Sequence, residues 1–382
     1  MMRGVNREAI MRLVRHKPGV SRTHLASLTG LSKATISDLV NELIAAGWMA
    51  EHDFTGETHR GRAPRPLALD STHRRLLGCQ INEASSVVMA IALTGEVTEL
   101  AVSHLRDGSV TAAFDTLGKQ IGEMHLKLKR QGLIVSGIGL AVPGPVDPSG
   151  EVLLFSDGSG WKNLPVRDML QLRLSKLGLS ALPVLISRAI NCVAQYHLNA
   201  LGIADDDPLL YIHVGKSIAS SFFFDGQPLV GLNGRAGVIS HVKVDPQGNM
   251  CACGRRGCAC VTLTLSAMER RSGWHGRSLR DRYAEDDENV VSVVNDVARQ
   301  LAALIHDICL AHDPARLLVG GEAFRLGAKF HDGVQTQLEV LSRNSHRKFP
   351  DMVVTPVDDH AAAHGAAALV MNASRHGSLY ET

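Results

Sequence analysis

The sequence lacks two features that would direct the chain to a membrane. It has no run of about 18 consecutive apolar residues, the length that a membrane-spanning helix needs. Its first residues, MMRGVNREAIMRL, lack the apolar core of a secretory signal and turn polar at once. Both absences predict a cytoplasmic protein with no membrane partner, whose seven cysteines stay reduced unless a metal binds them.

A strong excess of charge of one sign is also missing, because the formal net charge is only +2. The charge is unevenly placed, however: residues 1–75 hold twelve Lys and Arg against seven Asp and Glu, while the remainder holds 28 against 31. A basic head on a slightly acidic body favours a polyanionic partner for the head alone. Ordinary variation of surface charge is the alternative.

Three short helical patterns occupy this head. Asn6 is the predicted N-cap of a helix that ends at His16. Ser21 is the predicted N-cap of the second helix, which Gly30 ends in a left-handed conformation. Ser32 is the predicted N-cap of the third helix. A helix, a short glycine-containing turn and a second helix form a helix-turn-helix unit.

The third helix is the predicted recognition helix, because short polar side chains near its N-terminus can reach base edges in the major groove of an operator. Its segment GLSKATISDLVNELIAAGW also resembles the helix-turn-helix of winged bacterial repressors. The side chains of the helix pair that we expect to contact double-stranded DNA are Arg22, Ser32, Lys33, Ala34, Thr35, Ser37 and Asp38.

Residues 48–51 and 66–69 are predicted to form two short strands around a polar loop, the wing. The loop carries Arg60, Arg62 and Arg65 beside glycine and proline. Arginines on an extended arm suit a narrow minor groove. The alternative for the whole head is a three-helix packing module whose charges are merely solvated.

Strand-like apolar runs alternate with helical patterns from residue 76 onward, which predicts an α/β body of two lobes. Three segments of this body, GIGLAVPGPVD, GWKNLPVRDML and the cluster from His241 to Cys258, together with the head and its GRAP wing, resemble the regulator branch of the ROK (repressor, ORF, kinase) family. The resemblance implies a winged helix-turn-helix over residues 1–70, followed over residues 71–382 by a duplicated, actin-like, ribonuclease-H-type body. It further implies a homodimer or homotetramer that senses a sugar or a sugar derivative.

A compact set of zinc ligands lies within the body. His241 is followed by Cys251, Cys253 and Cys258, and one imidazole with three thiolates forms a tetrahedral set that suits Zn²⁺. No position is left for a catalytic water, so the predicted site is structural. A disulfide or inert buried thiols are the alternatives. Cys260 is an additional thiol that could compete as a ligand or be oxidised.

The resemblance also shows what a kinase would need and this chain lacks. ROK kinases carry an Asn-Asp pair, with the Asp as base, where this sequence has Arg188-Ala189. The two phosphate loops of the kinases correspond to GCQINEASS, at residues 78–86, and VGKSIASSFFF, at residues 214–224, neither of which keeps the glycine pattern. Since alanine cannot accept a proton, we expect no enzyme activity.

The sugar pocket implied by the resemblance is altered as well. Two sugar-binding glutamates of the family correspond to Val238 and Cys260, which leaves His241 and Asp157 as candidate effector contacts. Asp157 could equally be a turn cap. The leading hypothesis is therefore a transcriptional repressor of carbohydrate genes. A sensor regulated mainly through a protein partner and a divergent sugar kinase are the alternatives.

Overall fold

The computed structural model describes residues 2–52, 65–105, 108–156, 158–203, 207–273, 276–343 and 349–373 of a mixed α/β protein. The chain forms two compact units, one of Met1–Gly202 with His360–Thr382 and the other of Ile203–Asp359. The head lies in the first unit together with the first sheet of the body. The domain boundary at residue 70 therefore stays a prediction.

The head contains three helices and a two-stranded sheet: α1 (Met2–His16), α2 (Arg22–Thr29), α3 (Lys33–Ala45), β1 (Met49–Glu51) and β2 (Leu67–Leu69). Strands β1 and β2 are antiparallel, as the wing prediction requires. The prediction that Asn6 caps α1 is wrong, because the helix already begins at Met2. The extra turn places Arg3 one turn before Arg7, and both side chains pair with Glu42 of α3.

The other predicted caps are confirmed. The Ser21 hydroxyl accepts a hydrogen bond from the His24 N–H, and the Ser32 hydroxyl accepts one from the Thr35 N–H at 3.1 Å. Gly30 closes α2 with a φ of +70°, in the left-handed region that glycine tolerates. These local interactions set the turn between α2 and α3.

The first unit continues with a five-stranded sheet and its flanking elements. These are β3 (Arg74–Ile81), β4 (Ser85–Ala92), β5 (Val97–His104), α4 (Val110–Arg130), β6 (Ile134–Val142), β7 (Leu153–Phe155), β8 (Lys162–Leu164), α5 (Val166–Lys176), β9 (Val184–Arg188) and α6 (Ala189–Ala200). The sheet order is β5-β4-β3-β6-β9; β3, β6 and β9 run parallel, and β4 runs antiparallel to its neighbours β3 and β5.

The second unit repeats this arrangement. It contains β10 (Leu209–Val214), β11 (Ile218–Phe224), β12 (Gln227–Pro228), α7 (Ala259–Thr262), α8 (Leu265–Ser272), α9 (Leu279–Ala284), α10 (Glu288–His312), β13 (Arg316–Gly320), a 3-10 helix (Glu322–Leu326), α11 (Ala328–Arg343) and β14 (Met352–Val354). Its sheet order, β12-β11-β10-β13-β14, has the same pattern of parallel and antiparallel pairs. The two sheets thus have the duplicated topology that the resemblance implied.

The last described helix, α12 (Ala361–Ala373), packs on the first sheet at very short range. A Cβ on Gly78 of β3 would lie 2.1 Å from the Ala363 carbonyl oxygen, and one on Gly139 of β6 would lie 2.0 Å from that of Ala366. Both glycines therefore serve close contact between helix and sheet. Gly78 is the first residue of the segment that corresponds to the first phosphate loop of the kinases, and here it serves the packing of α12 on β3.

Candidate nucleic-acid interface and metal centre

The beginning of α3 presents a polar surface. Ser32, Lys33, Ala34 and Asp38 are exposed, while Thr35 and Ser37 are half-buried. The Ser32 and Thr35 hydroxyls lie 2.8 Å apart, so the cap also orients the Thr35 side chain. The opposite face of α3 is buried in the core of the head through Ile36, Leu39, Val40 and Leu43. Helix α3 therefore has one apolar face that fixes it and one polar face that is accessible.

Arg22 is engaged within the head. Its Nε donates to Glu51 at 2.7 Å, and its Nη1 donates to the Asn41 side chain at 2.8 Å and to the Ser37 carbonyl oxygen at 3.2 Å. Arg65 is more than half exposed, with its Nη1 lying 3.9 Å from the other Glu51 oxygen. The DNA contact of Arg22 stays a prediction, but the structure shows that the side chain ties α2 to α3 and β1.

The tip of the wing, including Arg60 and Arg62, lies outside the described residues. Between α1 and α3, Glu42 of α3 accepts hydrogen bonds from Arg7 and from Arg3 of α1. The Arg7 hydrogen bond is the main influence that lowers the pKa of Glu42 below its ordinary value. Charged side chains thereby connect α1 to α3, in addition to the apolar contacts of the head.

The four predicted zinc ligands lie together in the second unit. The ligand atoms of His241, Cys251, Cys253 and Cys258 all lie within 4.8 Å of one another. The sulfurs of Cys253 and Cys258 are 3.5 Å apart, as are the Cys251 sulfur and the His241 Nδ1. Zinc–sulfur bonds of about 2.3 Å at tetrahedral angles place sulfurs about 3.7 Å apart. The residues present therefore fit a zinc ion.

The loop that carries these ligands depends on glycine. Gly257 has a φ of +67°, and a Cβ there would lie 1.4 Å from the Asp245 carbonyl oxygen. This close approach allows the Gly257 carbonyl oxygen to accept hydrogen bonds from the Val244 and Asp245 N–H groups at 2.8 and 3.1 Å. The Cys251 N–H donates to the Arg255 carbonyl oxygen at 2.8 Å, which folds the two Cys-containing segments onto each other.

The electrostatics of the cluster differ between its ligands. Hydrogen bonds from the backbone N–H and the side chain of Arg255 lower the pKa of exposed Cys253 to about 6. Burial is the main influence that raises the pKa of Cys258 to about 12. A bound cation favours the thiolate form of both groups, since only thiolates are metal ligands. The donor set of one imidazole and three thiols is therefore suited to hold a metal.

Two candidates from the sequence remain: Cys260 as an additional thiol of the cluster and Asp157 as an effector contact. The Cys260 sulfur lies 3.5 Å from the Cys251 sulfur and 3.8 Å from the His241 Nδ1, so the structure places it at the edge of the metal cluster. Val238 lies half-buried three residues before His241. Asp157 lies outside the described residues, and its effector contact stays a prediction.

The segment that corresponds by resemblance to the first phosphate loop of ROK kinases contains a tight turn between β3 and β4. The Asn82 side-chain oxygen accepts hydrogen bonds from the N–H groups of Ala84 and Ser85, at 2.9 and 2.8 Å. Backbone N–H groups are what a phosphate loop offers to its ligand. Here the side chain of the loop's own asparagine already occupies them. Ala189, where the kinases have their base, is the first residue of α6.

The turn between β10 and β11 belongs to the segment that corresponds to the second phosphate loop of the kinases. It lies beside the Glu322 carboxylate, which sequence reasoning missed. A Cβ on Gly215 would lie 1.7 Å from the Glu322 Oε2, so Glu322 packs directly on the loop. The His213 Nε2 lies 3.3 Å from the same oxygen, and the His213 side chain is the main influence that lowers the pKa of Glu322 to about 2. The only signal in the sequence is the acidic residue directly after Gly320-Gly321.

Within the described residues, no helix has the length and apolarity to cross a membrane. Among solved structures, the chain is similar to a ROK family transcriptional regulator described as a homolog of the Escherichia coli MLC protein, with a TM-score of 0.82, 21% identity and coverage of 99% of this chain and 98% of that one. It is also similar to a ROK family glucokinase from Streptomyces griseus, with a TM-score of 0.63 and 19% identity over 77% of this chain and 98% of the glucokinase.

Similar sequences carry the names of regulators. The xylose repressor of Caldicellulosiruptor bescii is 23% identical over 97% of this chain and 96% of its own length. The DNA-binding transcriptional dual regulator NagC of Escherichia coli is 22% identical over 100% of this chain and 96% of its own length. The sequence model of the ROK family matches residues 86–373, about three quarters of the chain. This protein therefore belongs to the ROK family.

Proposed function

We propose that this protein is a DNA-binding transcriptional regulator, a repressor of carbohydrate genes, whose kinase-like body senses a sugar or a sugar derivative. The observation that carries the proposal is the exposed polar start of α3. Helices α2 and α3 are capped at the turn between them, and the pair has the connectivity of a helix-turn-helix. Its regulator relatives extend over nearly the whole chain, whereas the similar glucokinase accounts for 77% of it. The family model likewise begins only at residue 86, after the head.

The proposed DNA contacts follow from the geometry of the head. Lys33, Ala34 and Asp38 are exposed and Thr35 and Ser37 half-exposed at the N-terminal half of α3, the part of a recognition helix that meets base edges. Ser32 caps α3 and places backbone N–H groups where a phosphate can approach. Arg60, Arg62 and Arg65 of the wing are the proposed minor-groove contacts. Arg22 is a further proposed DNA contact, positioned by its hydrogen bonds to Glu51 and Asn41.

The body is proposed to bind its effector without phosphorylating it. Asn82 occupies N–H groups of the first phosphate loop, and the ionised Glu322 beside Gly215 repels a phosphate from the second. Ala189 cannot serve as a base. These features disfavour the divergent kinase among the alternatives, since nucleotide and base would both be lost.

The same proposal includes one structural Zn²⁺ held by His241, Cys251, Cys253 and Cys258. When bound, the ion would crosslink the loop at residues 241–258, and its four protein ligands leave no open position for chemistry. His241 and Asp157 are the proposed effector contacts. We further propose a homodimer or homotetramer, because one recognition helix per chain is small for a specific operator.

DNA binding is the direct test. Fluorescence anisotropy with DNA fragments from the gene's own upstream region should show salt-dependent binding that a sugar panel weakens. Lys33→Glu should reduce the affinity strongly, because it reverses charge at the exposed start of α3. Lys176→Glu, on the exposed end of α5 in the body, is the matched control and should bind as the unaltered protein does. If both variants bound DNA equally well, α3 would not be the recognition helix.

The anisotropy experiment also separates the alternative of a sensor that acts through a protein partner. Such a sensor would bind no upstream fragment at any salt concentration while still responding to a sugar in calorimetry. Footprinting of a bound fragment should show two related half-sites about one or two helical turns apart, roughly 34–36 Å per turn. A single unsymmetrical site bound by a monomer would contradict the oligomer.

A further inference from the structure

A fifth potential ligand, the Cys260 thiol, lies beside the four proposed zinc ligands, and a tetrahedral zinc site takes only four. The Cys260 sulfur lies 3.5 Å from that of Cys251, the same separation that joins Cys253 to Cys258. Cys260 is nevertheless not one of the four residues whose ligand atoms all lie within 4.8 Å of one another. It thus touches one edge of the ligand set from outside.

The backbone holds this additional thiol in place. Cys260 lies in the short helix α7, two residues after the proposed ligand Cys258. Its N–H donates to the Ser240 carbonyl oxygen at 2.9 Å. Ser240 immediately precedes His241. The same backbone segments that position two metal ligands therefore also fix Cys260 beside Cys251. Cys260 is half-buried, so part of the residue is exposed to solvent.

We propose that Cys260 makes the metal cluster an oxidation site, at which a peroxide joins Cys251 to Cys260 in a disulfide and expels the metal. The Cys260 sulfur attacks one peroxide oxygen, the O–O bond breaks, the thiol proton passes to the leaving oxygen, and a sulfenic acid and one water form. The Cys251 sulfur then attacks the sulfenic sulfur, the S–S bond forms, the S–O bond breaks, and the oxygen leaves as a second water. Two thiols and one hydrogen peroxide thus give one disulfide and two waters, with both electrons passing to the peroxide.

Loss of the metal follows from the loss of its ligand. A disulfide sulfur carries no thiolate charge, so Cys251 would no longer bind Zn²⁺ and three ligands would remain. The three cysteines outside the cluster, Cys79, Cys192 and Cys309, are at least 98% buried. Burial raises the pKa of each of these thiols, which keeps them protonated and unreactive. Peroxide should therefore react first at the cluster.

The test uses the reduced, zinc-loaded full chain and hydrogen peroxide. Zinc release is followed with a colorimetric chelator, and disulfides are located by peptide mass spectrometry without reduction. Unaltered protein should release its zinc and yield a Cys251–Cys260 crosslink, and a dithiol with added zinc should restore the site. Cys260→Ser should hold zinc as well as the unaltered protein does and release it several-fold more slowly. The matched control Cys309→Ser, at a buried thiol of α10, should behave as the unaltered protein.

Four results would overturn the proposal. Zinc release from Cys260→Ser at the unaltered rate would show that Cys260 does not start the oxidation. A crosslink between Cys253 and Cys258 instead would assign the reaction to two ligands. Failure of folded Cys260→Ser to bind zinc would make Cys260 a ligand. The mapping also works on metal-free protein, where the absence of a Cys251–Cys260 crosslink would refute the pairing whatever the outcome of the DNA-binding test.

Discussion

The Arg74 guanidinium carbon lies 4.4 Å from the centre of the Trp48 ring, where strand β3 of the body meets the start of the wing. The same guanidinium donates from Nε to the Ala46 carbonyl oxygen at 2.7 Å and from Nη1 to the Ser136 hydroxyl at 2.9 Å. It therefore joins the end of α3 to strand β6. A continuous apolar cluster that includes Leu25 of the head, Leu76 of β3 and Ala363 of α12 surrounds this contact.

Arg74→Ala should lower the free energy of unfolding by about 2 kcal/mol, because it removes a cation–π contact and two partly buried hydrogen bonds. Arg74→Lys should restore only part of this loss, since an ammonium cannot reproduce the two-directional guanidinium fork. Urea unfolding of the full chain measures the effect. Arg130→Ala, at the exposed end of α4, is the matched control. Equal stability of the Arg74→Ala and Arg130→Ala variants would contradict the structural role.

Thr35→Ala should change the preferred operator sequence at one or two base pairs, by about 1–3 kcal/mol each if Thr35 makes a good base contact. The Ser32 hydroxyl keeps its bond to the Thr35 backbone N–H in this variant, so α3 remains capped. Binding to a library of operator variants measures the preference. Thr111→Ala, at an exposed position of α4, controls for the general effect of removing a threonine side chain. A uniform loss of affinity across all sequences would assign Thr35 to phosphate contact.

Purified protein should contain about one zinc ion per chain, because the four-ligand set binds one ion. Cys253→Ser should lose the ion and melt at a lower temperature. Cys192→Ser, at a buried thiol of α6, should keep its zinc even if it is itself destabilised. Elemental analysis and thermal melting measure the two effects separately. Folded, unaltered protein without zinc would contradict the site.

Phosphorylation of glucose, N-acetylglucosamine or N-acetylmannosamine should not rise above background. A missing general base alone costs typically 10²–10⁴-fold in rate. Glu322 and Asn82 should in addition abolish ATP binding, so calorimetry with ATP should show no heat of binding. Plain hexoses should also bind weakly, because Val238 and Cys260 cannot accept their hydroxyl hydrogen bonds. Micromolar ATP binding with release of ADP would reverse this assignment.

Glu322 should contribute to stability in a pH-dependent manner. Its pKa of about 2 in the folded protein lies below the ordinary value of 4.5, so folding favours the ionised form. This contribution is complete above the ordinary pKa and is lost as the pH falls toward 2. The variant Glu322→Gln should therefore flatten the acid limb of a stability–pH curve. Glu339→Gln, in α11, is the matched control, and an unchanged acid limb in Glu322→Gln would show that His213 does not hold the ionised carboxylate.

The sequence by itself determined the local features of this protein. The caps at Ser21, Gly30 and Ser32 involve groups only a few residues apart, so their residue types suffice to predict them. The grouping of His241, Cys251, Cys253 and Cys258 was also predictable, because three of these residues lie within eight residues of one another. The first turn of α1 was missed because its Arg3 pairs with Glu42, which lies 39 residues further along the chain.

Tertiary structure alone decided the contacts that the two sheets and their helices bring together. Arg74 meets Ser136 because β3 and β6 are parallel neighbours, although 62 residues separate the two side chains in the chain. Glu322 reaches Gly215 only because β13 lies beside β10. Strand register sets such distances, and it depends on the packing of the whole core rather than on any short segment. This is why Ala189, at the position that the resemblance gives to the kinase base, was readable in the sequence, whereas the carboxylate beside Gly215 was not.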